Sequence, residues 1–170
     1  MADYVHIAHG FDPVFDERSR VLVLGSFPSV LSRENRFYYG NPQNRFWRVV
    51  ADVLGEDVPA VGDVDAKRAL LLRHGIALWD VIESCDIRGS SDASIRNVVP
   101  ADVVRIAGAA PVRAVLCNGG TAGRLYRRWL EPTVGLPAEV LPSTSPANAS
   151  WSLPRLTERW RAALLGALGE

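Results

Sequence analysis

The stretch VLVLGSFPSVLSRENRFYYGNPQNRFW, residues 21–47, decides the fold, because it joins a buried strand to a long polar loop and then to a helix. Residues 21–24 are an unbroken aliphatic run ended by Gly25, which is typical of a strand buried on both faces in a parallel sheet. From Phe46 onward, apolar residues recur at spacings of three and four until Gly55, which predicts an amphipathic helix. The polar segment between them is longer than most connections. We therefore predict a functional loop at the carboxyl end of the strand, where open α/β sheets bind ligands.

Three further apolar runs predict the remaining strands of the sheet, at residues 76–82, 112–117 and 139–141. Helices are predicted at residues 65–73, 100–107, 121–130 and 156–168, with Asp65 and Thr121 as caps and Pro100 and Asp102 opening the second. Because strands and helices alternate, the sheet should be parallel, with helices on both of its faces. Residues 1–20 are predicted to be an irregular lead-in, and residues 83–97 a polar connection.

The composition is that of an ordinary globular protein. A chain of 170 residues with 48% hydrophobic and 22% charged residues fits one domain, spanning residues 1–170. No apolar run approaches the roughly 18 residues that cross a membrane, so no membrane partner is expected. The start, MADYVHIAHGFD, lacks the basic and then apolar pattern of a signal peptide, and we expect a cytoplasmic protein.

The charges and cysteines exclude further classes. A formal net charge of zero argues against a protein that coats nucleic acid by bulk electrostatics. Cys85 and Cys117 are isolated and form no CxxC pair, so neither a disulfide framework nor a cysteine-ligated metal site is supported, and buried thiols are the better interpretation. Five arginines could either be solvated charges on helix surfaces or contact DNA phosphates, and the sequence leaves both interpretations open. They are Arg124, Arg127, Arg128, Arg155 and Arg159.

Several enzyme motifs are missing from the sequence. It contains no GxxxxGK[ST] phosphate loop, no GxGxxG after the first strand, no GxSxG elbow and no HExxH helix, so we predict neither a cofactor nor a metal. The segment NGGTAG, residues 118–123, follows a predicted strand and opens a helix. It could cradle a phosphate with its backbone N–H groups, but the spacing favours a plain strand-to-helix turn.

Aromatic and amide residues of the long loop are candidates for recognising a base. Tyr38 and Tyr39 could stack on a base, while amides such as Asn41 read its edge, although either ring could instead cover the core. Asn44 has a second interpretation as the cap of the helix that follows it. Phe27 could be either a plug in the core or a wall of a pocket.

Five motifs follow one another along the chain: GSFPS at 25–29, YYGNPQNRFW at 38–47, IALWDV at 76–81, NGG at 118–120 and LPSTSPANAS at 141–150. Together they resemble the uracil-DNA glycosylase superfamily and, within it, the hypoxanthine-DNA glycosylase branch, also called DNA-deoxyinosine glycosylases. The resemblance covers nearly the whole chain. It implies a three-layer α/β/α sandwich whose four parallel strands, numbered along the chain, lie in the order 2-1-3-4.

The resemblance also implies an activity. Such an enzyme is a monofunctional DNA glycosylase of base-excision repair, which flips a deaminated base, here hypoxanthine in deoxyinosine, out of DNA and cleaves its N-glycosidic bond with water. The implied partner is DNA that contains a deaminated base, no cofactor is implied, and we expect a monomer.

The resemblance assigns roles to individual residues. Phe27 stands where many relatives carry an Asp or Asn that orients the water, so the resemblance implies that Asn44 is the catalytic residue instead, with Tyr39 stacking on the flipped base. The residues implied at the base-binding site are Gly25, Ser26, Phe27, Pro28, Tyr39, Asn41 and Asn118. The loop implied to enter the minor groove of DNA contains Ser145, Pro146, Ala147 and Asn148.

Three other functions remain open at this point. The mismatch-specific uracil and thymine glycosylases share a related GxxP loop and an NRFW helix start. A non-catalytic protein that recognises damaged DNA or nucleotides is compatible with the missing acid at Phe27, and it would bind lesion DNA without releasing a base. A small-ligand α/β enzyme is the third alternative, but no charged catalytic pair can be proposed for it.

Overall fold

The protein is built on two β-sheets, one parallel and one antiparallel. The computed structural model describes residues 3–169. The strands of this described part are β1 (Val5–Ala8), β2 (Val21–Gly25), β3 (Ile76–Asp80), β4 (Ile82–Ile87), β5 (Arg96–Pro100), β6 (Ala114–Asn118) and β7 (Ala138–Leu141). Its helices are α1 (Val30–Asn35), α2 (Phe46–Leu54), α3 (Val64–Arg73), α4 (Val104–Ala109), α5 (Gly120–Trp129), α6 (Glu131–Val134) and α7 (Leu153–Leu168), and one 3-10 turn covers Asp92–Ser94.

The central sheet is parallel and has the order β3-β2-β6-β7, which confirms the predicted order 2-1-3-4. Strands β2 and β3 are buried along their whole length, as their unbroken apolar runs indicate for strands covered on both faces. Helices cover the sheet on both sides, so the predicted three-layer α/β/α class is confirmed. In the strand register, Gly25 lies beside Asp80 and Asn118 beside Leu141. The carboxyl ends of all four strands therefore meet at one edge of the sheet.

Two predictions about the segments outside this sheet are wrong. The predicted lead-in at residues 1–20, of which residues 1 and 2 lie outside the described part, is not only irregular, and residues 83–97 are not only a polar connection. These two segments supply most of an antiparallel sheet of order β1-β4-β5. The strand predicted at 76–82 is two strands, since β3 ends at Asp80 and β4 begins at Ile82.

The second sheet has a weak sequence pattern for a physical reason. Strands β1 and β5 are largely exposed, and their sequences accordingly lack the unbroken apolar run that marks a buried strand. In β4, shifts of register against β5 break the regular alternation of buried and exposed residues, leaving Ile82, Cys85 and Ile87 buried. A short, half-exposed strand with an irregular alternation cannot be told from a polar loop by its composition.

Several helix boundaries also differ from the prediction. Asp63, rather than Asp65, caps α3, because its carboxylate accepts the N–H of the third residue along. Pro100 belongs to β5, so α4 begins after it rather than at it. Thr121 lies inside α5, which is preceded by Gly119 in the left-handed region with φ of 97°. The polar loop after β2 also contains the short helix α1.

The cysteines are as predicted. Cys85 and Cys117 are both free and buried. Burial raises the pKa of the Cys85 thiol to about 11 and that of Cys117 to about 12, so both stay protonated and unreactive at neutral pH.

Over residues 3–169, no group of three or more His, Cys, Asp or Glu side chains could hold a metal ion. In the same part of the chain, no helix has the length and apolar character needed to cross a membrane.

Candidate active site

A cavity of about 850 Å³ opens where the carboxyl ends of the parallel strands meet. Its volume falls within the range of small-molecule sites, about 300–1,000 Å³. The cavity is lined by every residue that was predicted for the site: Gly25, Ser26, Phe27, Pro28, Tyr39, Asn41, Asn44, Asn118, Ser145, Pro146, Ala147 and Asn148. Residues from four separate loops are thus brought together, while their chemical roles stay predictions.

A chain of hydrogen bonds joins the loops around this cavity. Asn118 Nδ2 donates to the Tyr39 hydroxyl oxygen at 3.1 Å and to Thr144 Oγ1 at 2.9 Å. Thr144 Oγ1 in turn donates to Asn44 Oδ1 at 2.8 Å, and the Thr144 backbone N–H donates to Asn118 Oδ1 at 3.0 Å. Both hydrogens of the Asn118 amide and one lone pair of its oxygen are therefore used within the protein. Thr144 was not predicted, because a threonine in a serine-rich loop has no distinguishing pattern.

The donors on its oxygen orient the amide group of Asn44. The backbone N–H of Phe46 donates to Asn44 Oδ1 at 2.9 Å, beside the bond from Thr144. A backbone N–H can only donate, so the atom that it contacts must be the amide oxygen. Within residues 3–169, no hydrogen-bond acceptor takes the two hydrogens on Asn44 Nδ2. Asn44 therefore offers a hydrogen-bond donor to the cavity and cannot take a proton from water.

The two interpretations of Asn44 as a cap and as a site residue are compatible. Helix α2 begins at Phe46, and Asn44 satisfies that residue's N–H, although the residue directly before the helix is Arg45. The same side chain lines the cavity. A substitution that keeps the accepting oxygen and removes the donating nitrogen separates the two roles.

The two adjacent tyrosines occupy different positions. Tyr38 is only 2% exposed, and its ring packs against Phe11 and Phe37, so it belongs to the core. Tyr39 has a left-handed backbone with φ of 52°, and its ring stacks on Phe46 with 4.1 Å between ring centroids. One face of the Tyr39 ring is thus taken, and only the opposite face could stack on a base. Burial raises the pKa of Tyr39 above its ordinary value, which keeps its hydroxyl protonated.

Close approach of two polar groups explains the glycine that ends β2. A Cβ atom on Gly25 would overlap Asp80 Oδ1 and would lie 2.8 Å from the Tyr39 hydroxyl oxygen. The glycine is required here by the space that these groups occupy. Phe27, which is 8% exposed, packs in the core and also forms part of the cavity wall, so both of its interpretations apply.

Two carboxyl groups that were not predicted also line the cavity. Asp80 ends β3 and is 3% exposed. Asp92 accepts a hydrogen bond from Ser26 Oγ at 3.0 Å, and desolvation by burial raises its pKa above the ordinary value. An acid that directly follows the apolar run IALW could have been noticed in the sequence, whereas Asp92 lies in a polar stretch without any pattern.

Arg45 holds the loop between β7 and α7 in place. Its guanidinium donates to the backbone carbonyl oxygens of four loop residues, namely Thr144, Ser145, Asn148 and Trp151. Pro146 and Ala147, which lie between these anchor points, are exposed. A planar group with five donors can hold several carbonyls at once, which a lysine cannot do with comparable geometry. The loop is therefore attached to α2 beside Asn44.

The arginines that were candidates for phosphate contacts differ in their surroundings. Arg159 forms an ion pair with Glu139 at 2.8 Å, which accounts for its charge. Arg124, Arg127 and Arg128 line a shallow groove beside β7. The guanidinium of Arg155 lies 4.0 Å from the centre of the Trp151 ring, at the side of the cavity. Of these five arginines, Arg159 is paired with a carboxylate, so the other four remain candidates for contacts with an anionic partner.

Known proteins with the same architecture confirm the resemblance. Residues 13–168 match the model of the Uracil DNA glycosylase superfamily, and the chain belongs to this superfamily. It is similar to the hypoxanthine DNA glycosylase of Methanosarcina acetivorans, at 35% identity over 156 residues, which are 92% of this chain and 97% of the relative. The protein of the same name from Methanosarcina barkeri is 35% identical over 140 residues, covering 82% and 87% of the two chains. The solution NMR structure of an M. acetivorans protein described as a candidate uracil DNA glycosylase has a TM-score of 0.77 and 36% identity, covering 93% of this chain and 96% of that one.

Proposed function

We propose that the protein is a DNA glycosylase of base-excision repair, which removes hypoxanthine from deoxyinosine in DNA. The superfamily supports the class of enzyme, and the names of the two Methanosarcina relatives support the choice of base. The observation that carries the proposal is the cavity itself, in which the free amide hydrogens of Asn44 and the ring of Tyr39 border one space at the end of β2.

A base reaches such a cavity only after it has left the duplex. Rotating a nucleotide out of the stack costs a few kcal/mol, and least for a base whose pairing is already weakened, such as a deaminated one. The exposed residues Pro146 and Ala147 are suited to occupying the gap, because small apolar side chains inserted between base steps keep a duplex open. Arg45 holds the loop that carries them.

The reaction exchanges one bond for another at the sugar. The bond between C1′ and N9 breaks, its electron pair leaves with the base, and the oxygen of a water molecule forms a new bond to C1′. One proton of that water is lost, and the released base ends with one proton. Because negative charge develops on the departing base, a hydrogen-bond donor placed against it stabilises the transition state more than the ground state. The Nδ2 hydrogens of Asn44 serve as this donor.

A duplex oligonucleotide with a single deoxyinosine tests the proposal. Incubation with enzyme in excess, followed by alkali, should break the labelled strand at the lesion, and chromatography should recover free hypoxanthine. No strand break at enzyme excess would rule out the proposed activity. Binding of the lesion duplex without release of a base would favour a non-catalytic protein that recognises damage.

Parallel substrates with uracil and xanthine decide between the related activities. The mismatch-specific uracil and thymine glycosylases are the alternative within the superfamily. Faster release of uracil than of hypoxanthine at equal enzyme excess would assign the protein to that group. We expect hypoxanthine to be released fastest, in line with the names of the relatives.

The remaining expectations about the protein are part of the same proposal. We propose a monomer of one domain that acts on DNA in the cytoplasm, and the continuous hydrophobic core, which includes buried residues of both sheets, supports one domain. A single cooperative unfolding transition and a solution mass near 18.6 kDa are the expected results. Two separate transitions would contradict the single domain, and a doubled mass would contradict the monomer.

Loss of the Arg45 side-chain contacts should lower the affinity of the protein for lesion DNA. Replacing Arg45 with methionine removes every side-chain donor to the loop carbonyls and leaves only the bond from the backbone N–H of residue 45 to Thr144. We expect a Kd for the deoxyinosine duplex about tenfold higher, because the loop must then be ordered on binding. Fluorescence anisotropy at fixed salt measures this change. Arg161→Met is the matched control, since its ion pairs are with Asp52 and Glu158 on the surface. Equal effects of the two substitutions would show that only the lost charge matters.

A further inference from the structure

A buried histidine and a buried aspartate form a pair beside the cavity. His9 Nε2 lies 2.8 Å from Asp80 Oδ2, and each residue is 3% exposed. His9 directly follows β1, while Asp80 ends β3 in the central sheet and lines the cavity. The segment that follows β1 thus supplies a residue that contacts an acid of the site, although the two positions are 71 residues apart in the chain.

The hydrogen-bond partners of His9 fix the number of protons that the pair holds. His9 Nδ1 lies 3.0 Å from the carbonyl oxygen of Phe11, which can only accept, so Nδ1 carries a hydrogen. The contact between Nε2 and the Asp80 carboxyl also needs a proton, because two bare acceptors at 2.8 Å would repel each other. Whether that proton resides on nitrogen or on oxygen, the net charge of the pair is zero.

The second oxygen of Asp80 remains available. Among the described residues, nothing forms a hydrogen bond with Asp80 Oδ1. This oxygen lies against Gly25, close to where the Tyr39 hydroxyl approaches, as the overlap with a Cβ on that glycine indicates. An acceptor at this position suits a ligand edge that carries an N–H group, such as N1–H of hypoxanthine.

We propose that His9 is a positioning residue, which keeps its pair with Asp80 free of net charge where Asp80 Oδ1 borders the base site. The inference rests on the proposed function, since it concerns the base that leaves. A lone carboxylate against the base would oppose the negative charge that develops there as the glycosidic bond breaks, most strongly in a site shielded from water. A His–Asp pair that shares one proton still supplies a hydrogen-bond acceptor, but it does not repel the negative charge that develops on the base.

Two single substitutions separate the charge from the shape. In Asp80→Asn, the amide nitrogen donates to neutral His9 while the amide oxygen takes the place of Oδ1, so the acceptor stays and the pair is neutral without a shared proton. In His9→Gln, the glutamine amide donates to Asp80 and shares no proton, so the carboxylate keeps its full charge. We expect Asp80→Asn to excise hypoxanthine at least about threefold faster than His9→Gln does under single-turnover conditions. His9→Gln should be slower than the wild-type protein by about tenfold or more.

The double variant gives a result that a merely structural role of His9 would not produce. When Asp80→Asn and His9→Gln are combined in one chain, the pair is again neutral, and the rate should recover to within about threefold of that of Asp80→Asn alone. Thermal melting of each variant controls for folding. A wild-type rate in His9→Gln, a rate in Asp80→Asn as low as that of His9→Gln, or a double variant as slow as His9→Gln would each overturn the inference. Absence of any hypoxanthine release by the wild-type protein would instead overturn the proposed function.

Discussion

Exchanging Asn44 for aspartate should reduce the single-turnover rate of hypoxanthine excision by about 100-fold to 1,000-fold, which is the usual effect of removing one donor to a developing negative charge. The new carboxylate keeps an oxygen for the backbone N–H of Phe46 and for the Thr144 hydroxyl, the two donors that hold the asparagine. It replaces the free amide hydrogens with a second acceptor, which carries charge of the wrong sign. Gel analysis of alkali-treated duplex at enzyme excess measures the change.

The aspartate variant is informative because it is conservative for folding. Aspartate supports a helix start as well as asparagine does, so the melting temperature should stay near that of the wild type. Asn44→Ala serves as the comparison, because it removes both the acceptor and the donor and should lose activity together with some stability. Full activity in the aspartate variant would show that an acceptor suffices at this position. Full activity in the aspartate variant together with a large drop in the melting temperature of Asn44→Ala would favour a role in capping the helix alone.

A methyl group at Gly25 should reduce excision by about 100-fold or more, because it would fill the space between Asp80 Oδ1 and the Tyr39 hydroxyl. Either polar group must move away from the position that it holds beside the base. Overpacking of a buried site also destabilises a protein, typically by about 1–3 kcal/mol, so Gly25→Ala should remain folded at 25 °C. The rate is measured at that temperature and at enzyme excess.

Two other glycines provide matched controls for this substitution. Gly166 lies within α7, away from the cavity, and a Cβ there would meet nothing within 4 Å, so Gly166→Ala should leave the rate unchanged and should not lower the stability. Gly123 packs against Val140, and Gly123→Ala should lower the melting temperature through a clash away from Asp80 and Tyr39. If Gly123→Ala lowered the excision rate as much as Gly25→Ala does, the effect at Gly25 would be one of general instability.

The parallel sheet was predictable because burial on both faces leaves an unmistakable pattern. The runs at β2, β3 and β6 are apolar without interruption, and such runs occur where helices cover both sides of a strand. The antiparallel sheet was not predictable, since Val5 and Val99 are exposed and the register shifts in β4 hide its alternation. Its prediction needed knowledge of the pairing between distant segments, which no local pattern contains.

The site was predictable to the extent that its residues belong to recognisable motifs. Tyr39 and Asn44 could be placed through their motif, and the structure brings them to one cavity. The pair of His9 and Asp80 could not be found in the same way, because its partners lie in segments far apart in the chain. A histidine with no ligand-like spacing is usually taken as part of the surface, and only the three-dimensional contact reveals that it is buried.

The hydrogen bonds that link Tyr39, Asn118, Thr144 and Asn44 have a consequence for the energetics of recognition. These side chains lose their rotational freedom when the chain folds, before any nucleic acid arrives. A flipped nucleotide would therefore enter a rigid receptor, and nearly all of the entropy lost in forming the complex would come from the DNA. Selectivity in such a receptor follows from the fit of the base to a fixed template.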